Sequence, residues 1–208
     1  LYPALAIGPV GLPVISHFDA TQKLLMLTHC GDSACVSGNR TAPVDSLVVN
    51  AGQYSSLAFG ADGLAIVAYY DAGTTSLALT HCADRICRST TTTRVAASKA
   101  SGEYTAIAIG ADGLPVVSYY DRTRRTLAVT HCGTAACDAG NVTRWPDPSS
   151  NDVGLHTAIV IGADRLPVVS YFDGTAGALR VTHCGDVTCS TNNVSTTVDD
   201  PAGAAGLD

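Results

Sequence analysis

Charge is what this sequence has least of. Only 14% of its 208 residues are Asp, Glu, Lys or Arg, glutamate occurs once, at Glu103, and lysine is scarce. An average soluble domain carries about 25% charged residues, so something other than charge must keep this surface in solution. The shortage of Glu and Lys excludes long coiled coils. A net charge of −6 with only 12 Lys and Arg leaves no basic footprint, which argues against a nucleic-acid partner. No apolar run approaches the roughly 18 residues that span a bilayer as a helix, so no membrane span is expected. Helical periodicity is missing as well. The chain starts at Leu1 with no Met and no signal peptide, which reads as a processed mature chain or a piece of a longer one.

What is present is repetition. Four segments align, Ala4-Leu-Ala-Ile-Gly8, Ser56-Leu-Ala-Phe-Gly60, Ala106-Ile-Ala-Ile-Gly110 and Ala158-Ile-Val-Ile-Gly162. Each leads into a version of Leu-Pro-Val-Val-Ser-Tyr-Tyr-Asp ending at Asp19, Asp71, Asp121 and Asp173, spaced by 52, 50 and 52 residues. The repeats span approximately 1–52, 53–102, 103–154 and 155–208, read as one repeat domain over 1–208.

Within a unit the pattern is all-β. Tyr104 to Ile109 alternates Ala with larger apolar residues, and Gly110-Ala-Asp-Gly113 supplies a tight turn. Leu114 to Tyr120 is rich in Val and Tyr, which suit a pleated, half-buried surface, with Pro115 at its start where a missing donor costs little. Leu127 to Cys132 makes a third strand and the region around Asn141 to Trp145 a weaker fourth. Four short antiparallel strands per unit are the arithmetic of a propeller blade. The Gly-x-Asp-Gly-Leu-Pro-x-x-Ser-Tyr-x-Asp units also resemble the blade repeats of bacterial secreted and cell-surface β-propeller proteins. That resemblance covers all four units and carries no catalytic residues with it. Repeat 1 departs with Gly8-Pro-Val-Gly11 and repeat 4 with Asp164-Arg165.

Leu1-Tyr2 aligns with Leu155-His156 and with Leu207-Asp208, so the chain ends where a fifth repeat would begin. No strand is exchanged between the chain ends to lock a ring. Three architectures follow: a small closed ring, part of a larger ring, or an open array whose ends meet neighbouring copies. The open forms predict self-association.

Every repeat contains His-Cys-x4-Cys, at Cys30/Cys35, Cys82/Cys87, Cys132/Cys137 and Cys184/Cys189. A His and a Cys adjacent on a strand point to opposite faces, which leaves too few convergent ligands for zinc. Four disulfides inside the repeats are therefore expected, each closing a hairpin loop, and with them an oxidising, extracellular or cell-surface location. Neither a metal nor a cofactor is expected.

Three sequons, at Asn39, Asn141 and Asn193, lie four residues after the second Cys of their repeats. In repeat 2 the same position falls at Thr91 within Ser89-Thr-Thr-Thr-Thr93, an O-glycan candidate. Covalent sugars on the outermost strand would solubilise the surface and shield a strand edge, whereas an unmodified polar strand explains the pattern without them.

His29, His81, His131 and His183 recur once per repeat, and recurrence argues for packing over catalysis. Asp19, Asp71, Asp121 and Asp173 suit turn capping better than calcium, for want of an Asp-x-Asp-x-Asp cluster. Tyr70, Tyr120 and Phe172 are the candidates for sugar contact, each next to an aromatic that must face the core. The remaining polar residues, His17, Glu103, His156, Arg122, Arg124 and Arg125, form no catalytic signature, and no carboxylate pair of the glycosidase kind is evident. The expected function is therefore a non-enzymatic extracellular structural protein assembling end to end into a fibre or array. The alternatives are a multivalent lectin-like propeller and a fragment of a larger secreted propeller enzyme.

Overall fold

A computed structural model describes residues 1–45, 50–95 and 100–199. The described residues form sixteen strands in four sheets. Blade 1 comprises β1 (Ala4–Ile7), β2 (Pro13–Asp19), β3 (Leu24–His29) and β4 (Arg40–Asp45). Blade 2 comprises β5 (Ala51–Phe59), β6 (Ala65–Asp71), β7 (Ser76–Cys82) and β8 (Thr90–Arg94). Blade 3 comprises β9 (Ser101–Ile109), β10 (Pro115–Asp121), β11 (Thr126–His131) and β12 (Val142–Arg144). Blade 4 comprises β13 (Val153–Ile161), β14 (Pro167–Asp173), β15 (Ala178–His183) and β16 (Val194–Asp199). Each sheet is an antiparallel meander in chain order, and the first strand of each packs on the first strand of the next.

The sheets stack face to face, so the core is divided among the three seams. Between blades 1 and 2 it holds Val14, Leu25, Leu27, Leu57, Val67 and Tyr69. Between blades 2 and 3 it holds Ile66, Leu77, Leu79, Val117 and Tyr119, and between blades 3 and 4 Val116, Leu127, Val129, Val169 and Tyr171. Each fully buried aliphatic side chain contributes about 1.5–3 kcal/mol before entropy is set against it. Close approach of the blades is required where Gly52, Gly102 and Gly154 cross the preceding sheet. A Cβ at Gly102 or Gly154 would sit 2.6 Å from the Cα of Leu77 or Leu127, and all three glycines have φ near +100°. On the outer edge, hydroxyls join the third strand to the fourth: Thr28 to Thr41, Thr80 to Thr92, Thr130 to Thr143 and Thr182 to Ser195, each at 2.7–2.8 Å.

The first and last sheets do not close into a ring. Of the three architectures left open by the repeat phase, the described residues do not form the small closed ring, which leaves part of a larger ring and the open array. Leu57, Ile107 and Ile159 are each 8% exposed at the seams, whereas Leu5, their counterpart in blade 1, is 61% exposed. The alignment of Leu207-Asp208 lies outside the described residues.

Register assigns the two rims of the array. Along one rim lie the starts of the inner strands and the turns capped by Asp19, Asp71, Asp121 and Asp173, whose Oδ1 accepts backbone N–H groups at 2.8–3.2 Å. Along the other lie the first hairpin turns, the histidines and the disulfide loops.

Candidate functional site

At the first rim, one residue of each blade has left-handed backbone geometry: Tyr2 (φ 53°) just ahead of β1, Tyr54 (53°) in β5, Tyr104 (55°) in β9 and His156 (52°) in β13. The ladder explains the position. Gln53 pairs with Tyr70 and Ser56 with Ala68, so two residues of β5 oppose one of β6 in a bulge, and β13 repeats this with Leu155 and Ala158. A bulky side chain in this conformation costs on the order of 1–2 kcal/mol, and here the cost recurs four times.

The bulges are held by hydroxyls passed from blade to blade. Ser55 Oγ donates to the Tyr2 carbonyl at 2.9 Å, Thr105 Oγ1 to the Tyr54 carbonyl, and Thr157 Oγ1 to the Tyr104 carbonyl at 2.7 Å. Ser16 supports Ser55 at 2.9 Å and Ser118 supports Thr157 at 2.8 Å. The four rings consequently form a continuous arc. Ring centroids are 4.5 Å apart for Tyr2–Tyr54, 4.7 Å for Tyr54–Tyr104 and 4.3 Å for Tyr104–His156, with planes tilted by 44–54°. They line a shallow depression of about 290 Å³ with Ser55, Thr105 and Thr157.

Tyr70 and Tyr120 stand behind the arc, 6.4 Å from Tyr54 and 6.5 Å from Tyr104. Burial pushes the Tyr54 phenol well above its ordinary pKa, reinforced by Tyr104 and Tyr2. Burial and the hydrogen bond to Asp152 push Tyr120 up to about 12. These phenols stay neutral and can donate hydrogen bonds at physiological pH. The nearby acids are engaged. Glu103 lies 2.7 Å from Arg122, and Asp152 lies 2.7 Å from both Arg125 and the Tyr120 hydroxyl. Burial alone would raise the Asp152 carboxyl, but Tyr120 and Arg125 hold it below its ordinary value.

Of the sugar-contact candidates, Tyr120 is buried with its hydroxyl committed to Asp152, and Tyr70 and Phe172 are half-buried. Their neighbours Tyr69, Tyr119 and Tyr171 are in the core, bonded through their hydroxyls to Thr80, Thr130 and Thr182. The arc itself was legible as Gly-x-Tyr/His-Ser/Thr at Gly52, Gly102 and Gly154. Composition hid it, because His156 reads as a non-repeated polar residue unless it is aligned with the tyrosines. Among the other residues in that group, Arg124 lies 4.1 Å over the Trp145 ring and pairs with Asp121, while His17 fills the place of Tyr69 in blade 1.

On the opposite rim the four disulfides Cys30–Cys35, Cys82–Cys87, Cys132–Cys137 and Cys184–Cys189 have Cα atoms 4.7–4.8 Å apart. They differ from the expected hairpin closure. The second Cys lies on no strand and takes φ near +55°, so each bridge closes a tight turn before the fourth strand begins. Asn39, Asn141 and Asn193 clamp those turns. Each accepts from the Gly after the first Cys at 3.1 Å and donates Nδ2 to the carbonyl of the second Cys at 2.7–2.9 Å. Nδ2 is also the atom an N-linked sugar would use, so this clamp accounts for the recurrence of the Asn by itself. Thr91 lies in β8 opposite His81, where Ala83 N–H is bonded to the Ser89 carbonyl instead. The repeated histidines face the first hairpin turn: His131 to Asp112 at 2.8 Å, His183 to Asp164 at 2.7 Å, and His81 to Asp62 at 2.9 Å, the last outside hydrogen-bond angles. No group of three or more metal-ligating side chains occurs among the described residues.

No family model matches the chain, and no curated protein does. Among solved structures it is similar to an α-L-arabinofuranosidase from Clostridium thermocellum, with a TM-score of 0.55 and 11% identity over 93% of this chain and 72% of that one. At that identity the likeness shows the fold. The fold is a β-propeller, here as an open arc of four blades. The comparison corrects the expectation of a non-enzymatic protein built for end-to-end assembly. The same stack of sheets is the scaffold of an enzyme, so whole-repeat phase and absent motifs do not mark a building block. The expectation that the chain is not an enzyme loses its support with it.

Proposed function

We propose that the chain is an extracellular carbohydrate-binding propeller and that the arc of Tyr2, Tyr54, Tyr104 and His156 is its binding surface. The observation that carries this reading is the recurrence of a costly left-handed aromatic at the equivalent position of all four blades, within a bulge in blades 2, 3 and 4. Packing alone does not require it, because the rings are half-buried or exposed. Aromatic faces suit the apolar C–H faces of a sugar ring, and their phenol tips, with the Ser and Thr hydroxyls below, suit its hydroxyls. The structural likeness to an α-L-arabinofuranosidase is in keeping with a glycan ligand, and four disulfides suit an oxidising compartment. The rings touch one another, so the arc acts as one extended subsite per chain and not as one site per blade.

Calorimetry with arabino- and xylo-oligosaccharides of increasing length tests the reading. Affinity is expected to rise until the sugar spans the arc, with one ligand per chain. Tyr104→Ala, which breaks the middle of the arc, is expected to weaken binding at least about tenfold, or roughly 1.4 kcal/mol. A lack of binding across a broad glycan array, or binding untouched by both Tyr54→Ala and Tyr104→Ala, would refute it.

A further inference from the structure

On the opposite rim, the contact between the repeated histidine and the first hairpin turn is missing from one blade. In blades 2, 3 and 4 the imidazole Nε2 of the repeated histidine lies 2.7–2.9 Å from the Oδ2 of an Asp in the first hairpin turn of its own blade: Asp62, Asp112 and Asp164. Blade 1 has the same turn backbone, with Gly8 N–H bonded to the Leu12 carbonyl and Gly11 N–H to that of Gly8, but Val10 stands where those aspartates stand. His29 Nε2 is buried and finds no hydrogen-bond partner among the described residues. Beside it is a cavity of about 270 Å³, walled by Pro9, Val10 and Leu12 of blade 1 and by Phe59 and Ile86 of blade 2.

Its second polar lining group is Arg85, an exposed residue in the disulfide loop of blade 2. Blade 3 carries only Ala135 and Ala136 in the matching stretch of its loop, so both the apolar wall at Ile86 and the cation at Arg85 are peculiar to the seam between blades 1 and 2. The charged groups around His29 are Arg40, paired with it across β3 and β4, and Asp84 and Arg85 from the blade 2 loop. Burial, with the nearby Arg40, keeps the imidazole below its ordinary pKa, so near neutral pH it meets a ligand as a neutral hydrogen-bonding group with guanidinium charge close by.

We propose that this cavity binds a small carboxylic acid with an apolar body, its carboxylate taking beside His29 the place that Asp62, Asp112 and Asp164 take in the other blades. The apolar walls accept an aromatic or branched aliphatic body, Arg85 adds a charge-assisted contact at the mouth, and the volume restricts the ligand to the small end of the usual range. The site is separate from the aromatic arc and does not depend on it.

The test is an NMR titration of the imidazole resonances of the full chain with benzoate, and in parallel with benzyl alcohol as the uncharged isostere. Benzoate is expected to shift His29 saturably while His81, His131 and His183 stay in place, with benzyl alcohol at least about tenfold weaker. Val10→Asp restores the residue used in the other blades at a position that is 65% exposed, so the fold should tolerate it. It should move the His29 resonance towards those of His131 and His183 and abolish the response to benzoate. Arg85→Ala should weaken benzoate severalfold. Equal binding of acid and alcohol, a silent His29, or undiminished benzoate binding by Val10→Asp would each overturn the proposal.

Discussion

Blade 3 and blade 1 carry nearly the same second strand in different surroundings. In β10, Pro-Val-Val-Ser-Tyr-Tyr-Asp, every residue is buried; in β2, Pro-Val-Ile-Ser-His-Phe-Asp, burial falls at Ile15, His17 and Asp19. The difference lies in the neighbours. β10 is covered by blade 2 on one face and blade 4 on the other, whereas one face of β2 meets no other sheet among the described residues. A strand covered on both sides needs apolar residues at both parities, and the half-covered one tolerates His17 where Tyr69, Tyr119 and Tyr171 are sealed in the core. Burial in this molecule is thus a property of position in the array as much as of the repeat.

The widest break in that comparison is expected from truncating the paired positions. Tyr119→Ala removes a ring that is 1% exposed together with its bond to Thr130, and should cost about 3–5 kcal/mol in urea unfolding followed by circular dichroism. His17→Ala should stay within about 0.5 kcal/mol. Equal costs would mean that the free face of blade 1 is covered in solution, and the contrast between the two blades would fail.

Much of this architecture was legible in the sequence because the repeat is strict where the backbone needs it. Gly-x-Asp-Gly marks the first turn, since its last position takes φ of 74° and 82° at Gly63 and Gly113. Leu114 to Tyr120 reads as a half-buried strand, whereas β10 is buried on both faces because a blade covers each of them. The aromatic arc was less legible for a physical reason. A bulge shifts the register by one residue, so a ring at an apparently ordinary strand position is turned out of the sheet alternation on which the reading relies. The cysteines show a related limit. Their spacing dictates a local bridge, but whether it spans a hairpin or a tight turn depends on left-handed geometry at Cys35 and its counterparts, which the sequence does not advertise. The blade 1 cavity depends on Val10 together with Arg85 and Ile86 of the next blade, and the consequence of Val10 emerges only once His29 is seen on the adjoining strand.

A second contrast concerns how the disulfide loops are held, since blades 1, 3 and 4 clamp them with Asn and blade 2 does not. Asn141→Ala removes two hydrogen bonds from a half-buried amide and is expected to cost about 1–2 kcal/mol in the same unfolding assay. Thr91→Ala should cost distinctly less, because in the blade 2 loop a backbone bond, Ala83 N–H to the Ser89 carbonyl, takes the place of the Asn clamp. A loss at Thr91 as large as at Asn141 would mean that the outer strand, rather than the clamp, carries the energy.

The smallest effect separates blade 1 from blade 3 by proton. Asp32 caps its disulfide loop, accepting from the backbone N–H of Val36 and from the hydroxyl and N–H of Ser37, which bring its carboxyl down to about 2. Asp84 is lowered by the N–H of Ile86, and Asp186 by Thr188, Ser190 and Thr191 against the opposing effect of burial. Blade 3 has Thr134 at this position, whose hydroxyl accepts from Asp138 N–H at 3.2 Å and does not titrate. A carboxyl whose folded pKa lies below its unfolded value binds fewer protons in the folded state. Its contribution is therefore complete above the ordinary value of 3.8 and is lost as pH falls through the folded one. Hydrogen exchange of the Ser37 amide, corrected for intrinsic rate, should lose protection as pH falls from about 4 to about 2, while the Asp138 amide in blade 3 keeps its own. Because Asp32 is at the surface, the change should stay confined to the loop and leave the amides of β3 protected. Parallel loss in both loops would assign the acid response to the whole array and not to the capping residue.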